Sequence, residues 1–368
     1  MASPNPLSSR ASGHDVRRPI RLLIVDDSAV ARAVFTRMIE GRDGFEIAAT
    51  LSSADAALAY LSGNQVDIIL LDIEMPGMDG LTALPALLAA SRGARVMIVS
   101  SSADDGAAAT VRALTLGAAD TLAKPGAGAG FGGRFADILA EKLLRIGHCR
   151  PVARAAETPG DVAPEPVFTM RPLSAGPIAC LAIGASTGGI HALTDLLRRL
   201  PPAFDAPILI TQHLPPVFMP FFAAQIQEIA GRPTSVAQEG SRLQRGRILV
   251  APGEGHMGVH KAGSAVLVRL TTEKVESGCM PSVDPMLASV GEVFGGSAIG
   301  IVLSGMGRDG VNGARRMAGA GGDVFAQNRD SSVVWGMPGA IACAGLASAI
   351  LPPASIADLI VRRHGAAA

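Results

Sequence analysis

The chain contains two long stretches in which short apolar runs alternate with segments of helical periodicity. In the first stretch the apolar runs predict β-strands over Arg21–Val25, Phe45–Thr50, Ile68–Leu71, Val96–Val99 and Asp120–Ala123. In the second stretch they predict strands over Ile178–Ile183, Ile208–Gln212, Ile248–Ala251, Ala265–Leu270, Ala298–Leu303 and Gly322–Ala326. Strands that alternate with helices are typical of a parallel, doubly wound sheet, so each stretch is predicted to form an α/β domain.

The region between the two stretches is rich in Pro, Ala and Arg and has no apolar periodicity, which is typical of a linker. A chain of 368 residues is also too long for one typical core. We predict a flexible tail over 1–20, a first domain over 21–144, a linker over 145–176 and a second domain over 177–366.

Composition narrows the class of protein. The 32 basic and 32 acidic side chains cancel, which argues against a nucleic-acid-binding protein, because such proteins need a basic face. The four cysteines show no CxxC spacing, so a zinc ribbon is not expected and a reducing cytoplasm is the simplest location. The first residues lack the apolar core of a signal peptide, and the run Ala340–Leu351 is too short to span a bilayer. We therefore expect a cytoplasmic protein that is not inserted in a membrane.

Polar residues follow the predicted strands of the first domain. Asp26 and Asp27 follow the first strand, Asp72 the third, Ser100 the fourth and Lys124 the fifth. The carboxyl ends of parallel strands share one edge, so these side chains should converge there. Crowded carboxylates suit a hard cation such as Mg²⁺, and a lysine can bind a phosphoryl group. The pattern predicts phosphorylation of an aspartate, best placed at Asp72, with an acidic surface cluster as the alternative.

This arrangement resembles the receiver domain of response regulators over about Arg21 to Leu144. The resemblance implies that Asp72 accepts the phosphoryl group, that it binds Mg²⁺ with the two neighbouring aspartates, and that Lys124 contacts the phosphoryl group. It also implies that Ser100 is the switch hydroxyl and that a histidine kinase is the phosphodonor. Thr121 stands where receivers often carry an aromatic residue.

In the second domain the segment Gly184-Ala-Ser-Thr-Gly-Gly189 joins an apolar strand to a helical pattern. A turn of this kind raises the hydroxyl of Ser186 above the sheet edge and directs backbone N–H groups and a helix N-terminus at whatever it attacks. Ser186 is therefore a nucleophile or part of a phosphate-binding turn. The segment lacks both the lysine of a Walker A loop and the GxGxxG spacing.

Two further residues are candidates for the base and the orienting acid that a nucleophilic serine needs. His213 follows the next predicted strand, and Asp309 lies in a glycine-rich turn after a later one, so both should reach the same sheet edge as Ser186. His213 would act as base, Asp309 would orient it, and N–H groups of the Ser186–Gly189 or Gly305–Gly307 turn would hold the oxyanion. The order Ser, His, Asp differs from the order Ser, Asp, His of α/β-hydrolases.

Other polar residues offer rival roles. His256 also follows a predicted strand and is an alternative base or a substrate contact. His191 is expected on a helix surface. Asp284 is predicted to cap a helix that begins at Pro285.

The second domain also resembles the chemotaxis protein-glutamate methylesterase (CheB) family. The resemblance rests on the serine turn and on Thr211-Gln-His-Leu-Pro-Pro216, Met280-Pro-Ser-Val-Asp284, Gly305-Met-Gly-Arg-Asp-Gly310 and Ser331-Ser-Val-Val-Trp-Gly-Met-Pro338. It implies hydrolysis of glutamate methyl esters on chemoreceptors, deamidation of glutamines and no cofactor for either reaction. It also implies Ser186, His213 and Asp309 as the triad, with Thr187 and Met306 as candidate oxyanion or substrate contacts.

Because a receiver is joined to a hydrolase, we predict that the unphosphorylated first domain docks over the edge of the sheet at Ser186 and limits access to it. Phosphorylation of Asp72 is predicted to weaken this docking. Two alternatives stay open at this point. The second domain could only bind partners, or it could be an esterase with another substrate.

Overall fold

The computed structural model describes residues 18–100, 104–124, 133–147 and 168–367. Within these ranges the chain forms two parallel sheets flanked by helices and a separate β-hairpin. The predicted α/β fold class is therefore confirmed. Residues 1–17 of the predicted tail and 148–167 of the predicted linker lie outside the described residues.

The N-terminal domain is built on strands that are mostly buried on both faces, as a sheet covered by two layers of helices requires. Its strands are β1 Ile20–Val25, β2 Phe45–Leu51, β3 Ile68–Asp72, β4 Arg95–Ser100 and β5 Asp120–Ala123, and its helices are α1 Ala29–Ile39, α2 Ala54–Gly63, α3 Gly80–Ala90, α4 Asp104–Thr115 and α5 Gly133–Gly147. The described strands are parallel in the order β2-β1-β3-β4-β5. The chain changes direction across the sheet between β1 and β3, which opens a crevice at the carboxyl ends of these two strands.

The C-terminal domain has a wider sheet of the same kind. Its strands are β6 Cys180–Ala185, β7 Ile208–Gln212, β8 Thr234–Val236, β9 Ile248–Val250, β10 His256–Ala262, β11 Ala265–Thr271, β12 Ala298–Val302, β13 Asp323–Gln327 and β14 Ala349–Leu351. Its helices are α6 Gly189–Leu197, α7 Met219–Ala230, α8 Val283–Phe294, α9 Val311–Gly319, α10 Met337–Cys343 and α11 Pro353–Ala367. The parallel order is β14-β13-β12-β6-β7-β9-β8, so the chain builds outward from β6 on one side and returns to β12 on the other. β6, β7 and β12 therefore flank the switch point of this sheet.

The strand predictions differ from the structure at β6, at the pair β10 and β11, and at the short strands β8 and β14, which were not predicted. β6 begins at Cys180 and extends to Ala185, because its last residues pair with the neighbouring strands β12 and β7. Gly184 is needed there because a Cβ atom would lie only 2.4 Å from the Val283 side chain. The predicted strand at Ala265–Leu270 lies outside the main sheet, where β11 pairs antiparallel with β10. β10 was not predicted because polar residues, among them His260 and Lys261, interrupt its apolar pattern.

The two domains pack directly against each other. α4 lies against α6 and α7, and Leu114 and Ala118 of the N-terminal domain belong to the same buried apolar cluster as Ile190 and Leu214 of the C-terminal domain. Residues 168–176, placed in the linker by the sequence analysis, are hydrogen-bonded to the C-terminal domain, for example from the Arg171 N–H to the Ala347 carbonyl at 2.8 Å. The docking face is thus continuous with the cores of both domains.

Candidate functional site

An acidic pocket lies at the switch point of the N-terminal sheet. Asp26 follows β1 and Asp72 ends β3, and both are buried, whereas Asp27 is exposed. One carboxylate oxygen from each of the three lies within 4.8 Å of the others. Lys124 Nζ lies 2.9 Å from Asp26 Oδ2 and 2.8 Å from Asp72 Oδ2. The strand ends therefore bring together the aspartates and the lysine that the sequence singled out.

The charges in this pocket are not balanced. Burial raises the pKa of Asp72, the bond and charge of Lys124 offset this only in part, and the nearby Asp26 carboxylate raises it further. Burial lowers the pKa of Lys124, but its bonds to Asp72 and Asp26 outweigh burial and raise the pKa above its usual value. Burial is thus the main cause of the shift at Asp72, whereas the two neighbouring carboxylates determine the direction of the shift at Lys124. Asp72 Oδ1 is also buried without a hydrogen-bond partner among the described residues, so the donor set fits a hard divalent cation.

Two further residues of this domain lie near the pocket. Ser100 ends β4 and is buried, with its Oγ 3.0 Å from Thr110 Oγ1. Thr121 is half-buried in β5, the strand that begins at Asp120 and is followed by Lys124. Residues 101–103 lie outside the described residues, so the surroundings of Ser100 are described only on the side of Thr110.

The second cluster lies at the switch point of the C-terminal sheet. Ser186 directly follows β6, His213 directly follows β7, and Asp309 lies in the turn after β12. Ser186 and His213 line one cavity of about 400 Å³. His213 Nε2 lies 2.8 Å from Asp309 Oδ2, which leaves Nδ1 as the ring nitrogen that can accept a proton. Among the described residues Ser186 Oγ makes no hydrogen bond to His213, although both side chains line the cavity.

Asp309 is held in place by three donors. It is 1% exposed, Ser282 Oγ donates to its Oδ1 at 2.6 Å, and the Val283 N–H donates to its Oδ2 at 2.7 Å. Burial raises the pKa of Asp309, but the hydrogen bond and charge of His213 and the bonds from Ser282 and Val283 outweigh it, so the pKa lies below its usual value. Asp309 therefore stays ionised and fixes the orientation of the His213 ring.

His256 is hydrogen-bonded to Ser282, one of the donors to Asp309. It is 1% exposed and lines a different cavity from the one that contains Ser186. Its Nδ1 accepts the Ser282 N–H at 3.0 Å, and its Nε2 lies 2.9 Å from the Glu273 carbonyl, which makes Nε2 the protonated nitrogen. His256 thus orients the segment that holds Asp309 and is not placed to act as a base for Ser186.

The prediction that Asp284 caps α8 is wrong. α8 begins at Val283, Ser282 is its N-cap, and the Ser282 hydroxyl accepts the Asp284 N–H at 3.2 Å. Pro285 then falls third in the helix, still within the first turn, where its missing N–H costs no helical hydrogen bond. Asp284 instead accepts the Gly313 N–H at 2.7 Å. Ser282 was not singled out from the sequence, although serine is one of the residues preferred at a helix N-cap.

His191 lies on the exposed side of α6, as predicted, with its side chain 51% exposed.

The turn that follows β6 carries an interdomain hydrogen bond. The Gly188 N–H donates to the carbonyl of Ala119, in the N-terminal domain, at 2.8 Å. Gly188 adopts φ +73°, which favours glycine. Within the described chain the N–H groups of Thr187, Met306 and Gly307 have no acceptor, and all three residues line the cavity.

The N-terminal domain also forms one wall of this cavity. The Thr187 hydroxyl donates to Asp120 Oδ2 at 3.0 Å, and Lys142 Nζ donates to the same oxygen at 2.7 Å. Lys142 and Arg145 of α5 line the same cavity as His213. Residues of both domains therefore surround Ser186 in this arrangement.

A doubly wound domain with an acidic, lysine-containing pocket, joined to a second domain with a serine beside a histidine–aspartate pair, defines a response regulator with a hydrolase as its effector. Comparison with known proteins agrees. Residues 22–129 match the family described as response regulator receiver domain, and residues 181–360 match the family described as CheB methylesterase.

Curated relatives match both domains at once. A protein-glutamate methylesterase/protein-glutamine glutaminase 1 of Paramagnetospirillum magneticum is 39% identical over 364 residues, which cover 93% of this chain and 96% of the relative. A protein-glutamate methylesterase/protein-glutamine glutaminase 2 of Caulobacter vibrioides is 44% identical over 350 residues, 94% of this chain and 99% of the relative. The chain belongs to the CheB methylesterase family. The resemblance noted from its sequence is confirmed, and so is the prediction that it is an enzyme.

Among solved structures, the Thermotoga maritima CheB methylesterase catalytic domain is 31% identical, covering 50% of this chain and 98% of that chain with a TM-score of 0.49. Among the described residues, no helix combines the length and the apolar character needed to cross a membrane. The roles of individual residues are tested by none of these comparisons and stay predictions.

Proposed function

We propose that this chain hydrolyses glutamate methyl esters of chemoreceptors, and also deamidates their glutamines, with Ser186 as nucleophile, His213 as base and Asp309 as its orienting acid. One observation carries the proposal: Ser186 and His213 line the same cavity while His213 is bonded to the buried, ionised Asp309. The substrate class is supported by the names of the relatives, which pair a glutamate methylesterase with a glutamine glutaminase. Both reactions transfer the same γ-acyl group of a side chain and differ only in the leaving group.

The reaction proceeds in two halves. His213 Nδ1 accepts the proton of the Ser186 hydroxyl as Oγ attacks the γ-carbonyl carbon, and the tetrahedral intermediate expels methanol, or ammonia from a glutamine, with that proton. Water then attacks the acyl-enzyme with His213 again as base, which releases the carboxylate and restores Ser186. The Thr187, Met306 and Gly307 N–H groups, which have no other acceptor within the described chain, are the proposed oxyanion donors.

The N-terminal domain is the proposed regulatory part. We take residues 21–144 as the receiver and 177–366 as the catalytic domain, joined by the linker over 145–176. A chemotaxis-type histidine kinase is the phosphodonor and Asp72 the acceptor. Lys124 and Ser100 contact the phosphoryl group, and Asp26, Asp27 and Asp72 hold Mg²⁺. Bound Mg²⁺ supplies positive charge that screens the carboxylates from the incoming phosphoryl group.

The proposed regulation by phosphorylation rests on the contacts between the receiver and the turn that carries Ser186. The Ala119 carbonyl of the receiver accepts a hydrogen bond from the Gly188 N–H, and its Asp120 carboxylate accepts one from the Thr187 hydroxyl. The receiver therefore contacts the turn that carries Ser186. We propose that phosphorylation of Asp72 weakens these contacts and opens the cavity to a receptor helix.

The decisive measurement is methanol release from methylated receptor membranes, with and without a small-molecule phosphodonor. The Ser186→Ala variant should release no methanol while Asp72 is still phosphorylated, and Ser62→Ala, which changes an exposed serine of α2, should behave as the unmodified protein. Release at the unmodified rate from Ser186→Ala would refute the nucleophile and favour a domain that only binds partners or uses another residue.

Deleting residues 1–170 tests the regulation separately. The truncated protein should show a higher basal rate than the unphosphorylated full chain. An unchanged or lower rate, in a truncated protein whose circular dichroism shows it folded, contradicts the gating.

A further inference from the structure

Cys279 is a residue that the proposed hydrolysis does not use, although it lines the same cavity as Ser186 and His213. It lies in the segment before α8 and is half-buried. Its Sγ, a ring nitrogen of His213 and a carboxylate oxygen of Asp309 all lie within 4.8 Å of one another. A thiol, an imidazole and a carboxylate thus converge from three separate loops.

This ligand set matches the preferences of zinc. Zn²⁺ binds thiolate sulfur, imidazole nitrogen and carboxylate oxygen at about 2.0 to 2.3 Å, so the ligand atoms of a tetrahedral site lie about 3.3 to 3.8 Å apart. In the structure the three atoms lie within 4.8 Å of one another, so the side chains have to adjust to bind a metal ion but are already gathered around one point. Three protein ligands would leave the fourth position to water or to the Ser186 hydroxyl.

The electrostatics of the site also favour a cation. The carboxylates of Asp309 and Asp284 place negative charge near Cys279. This charge attracts a divalent cation, and a bound cation in turn favours loss of the thiol proton to solvent.

We propose that Cys279, His213 and Asp309 form an inhibitory site for a thiophilic divalent cation such as Zn²⁺. Metal binding recruits the base and its orienting acid as ligands, so His213 can no longer accept the Ser186 proton and hydrolysis stops. Removal of the metal restores the free His213–Asp309 pair. The inhibition, but not the binding, rests on the proposed function of this pair.

Binding is tested first, on the full chain and without any substrate. Titration with Co²⁺ should produce a thiolate-to-cobalt charge-transfer absorption band that Zn²⁺ displaces. The band should disappear in Cys279→Ala and weaken in His213→Ala, and it should persist in Cys343→Ala, which removes an exposed cysteine of α10 as a matched control. Absence of the band in the unmodified protein, or its persistence in Cys279→Ala, overturns the proposal.

Inhibition is then measured as methanol release against free Zn²⁺ concentration, with each variant normalised to its own metal-free rate. The inhibition constant should rise by about tenfold or more in Cys279→Ala and Cys279→Ser, because one of three protein ligands is lost or weakened, and it should be unchanged in Cys343→Ala. A chelator should restore the rate of the unmodified protein. Equal inhibition constants with and without Cys279 overturn the inhibitory role. Hydrolysis that survives Ser186→Ala or His213→Ala contradicts the proposed function instead and leaves the cobalt band as the separate test of the site.

Discussion

Substitution of Asp120 by alanine should activate the unphosphorylated enzyme. Asp120 begins β5 and its side chain is 15% exposed, with Oδ2 accepting both the Thr187 hydroxyl at 3.0 Å and Lys142 Nζ at 2.7 Å. The substitution removes the side-chain link between the receiver and the serine turn. The backbone bond from the Gly188 N–H to the Ala119 carbonyl is left intact.

The size of the effect follows from the lost bond. A hydrogen bond to a charged, partly buried group contributes about 1.5 to 3 kcal/mol, and only the closed arrangement contains it. Its loss should raise the ratio of open to closed enzyme about 10- to 150-fold, at about 1.4 kcal/mol for each factor of ten. The basal rate rises by the same factor until it reaches the rate of the phosphorylated enzyme, which is the ceiling. Asp120→Asn, which keeps an acceptor without the charge, should give an intermediate rate.

Initial rates of methanol release without phosphodonor provide the assay, and rates at saturating phosphodonor provide the reference. Asp120→Ala should change the first and leave the second alone. Asp137→Ala is the matched control, because Asp137 is a carboxylate of the same domain that pairs with Arg42 on the outer surface. A basal rate equal to that of the unmodified enzyme would refute the reasoning that this contact holds the closed arrangement.

Three further outcomes are expected. Ser282→Ala removes a donor to the buried Asp309 carboxylate and should lower kcat far more than it changes KM, whereas Ser53→Ala, which removes only the N-cap of α2, should cost about 1 kcal/mol of stability without a change in kcat. Because the pKa of Asp309 is lowered in the folded chain, its contribution to stability is fully present above the ordinary carboxyl value of 3.8 and is lost as pH falls through the lower folded pKa; acid unfolding of Asp309→Asn should lack this component. Chelation of Mg²⁺ should abolish phosphorylation of Asp72 and leave unstimulated methanol release no lower than before, and a fall in unstimulated release would contradict a hydrolysis that needs no cofactor.

The chemical residues of both sites could be located from the sequence because each lies at or just after the end of a strand. An apolar run marks a buried strand, and the topology rules bring the ends of parallel strands to one edge, so Asp72, Ser186 and His213 could be placed by position alone. β10 and the three-residue strands β8 and β14 were missed, since short or polar-interrupted segments carry little periodicity.

The supporting contacts could not be predicted in the same way. Ser282 reaches Asp309 across 27 positions of sequence, and His256 reaches Ser282 across 26, through folding that no local pattern encodes. The contact between Thr187 and Asp120 joins two domains, so it depends on how their surfaces pack, which neither domain's own pattern determines.

The strand β5 connects the acidic pocket of the receiver to the contact between the two domains. Asp120, which contacts the serine turn, begins this strand, and Lys124, which contacts Asp72, directly follows it, so a rod of about 13 Å of extended backbone separates them. Among the described strands β5 lies at the edge of its sheet and pairs only with β4, so a single described neighbour resists its sliding. We therefore expect a shift of Lys124 towards a phosphoryl group on Asp72 to displace Asp120 along the strand axis. The contact with the phosphorylation site and the contact with the serine turn thus lie at opposite ends of one short strand.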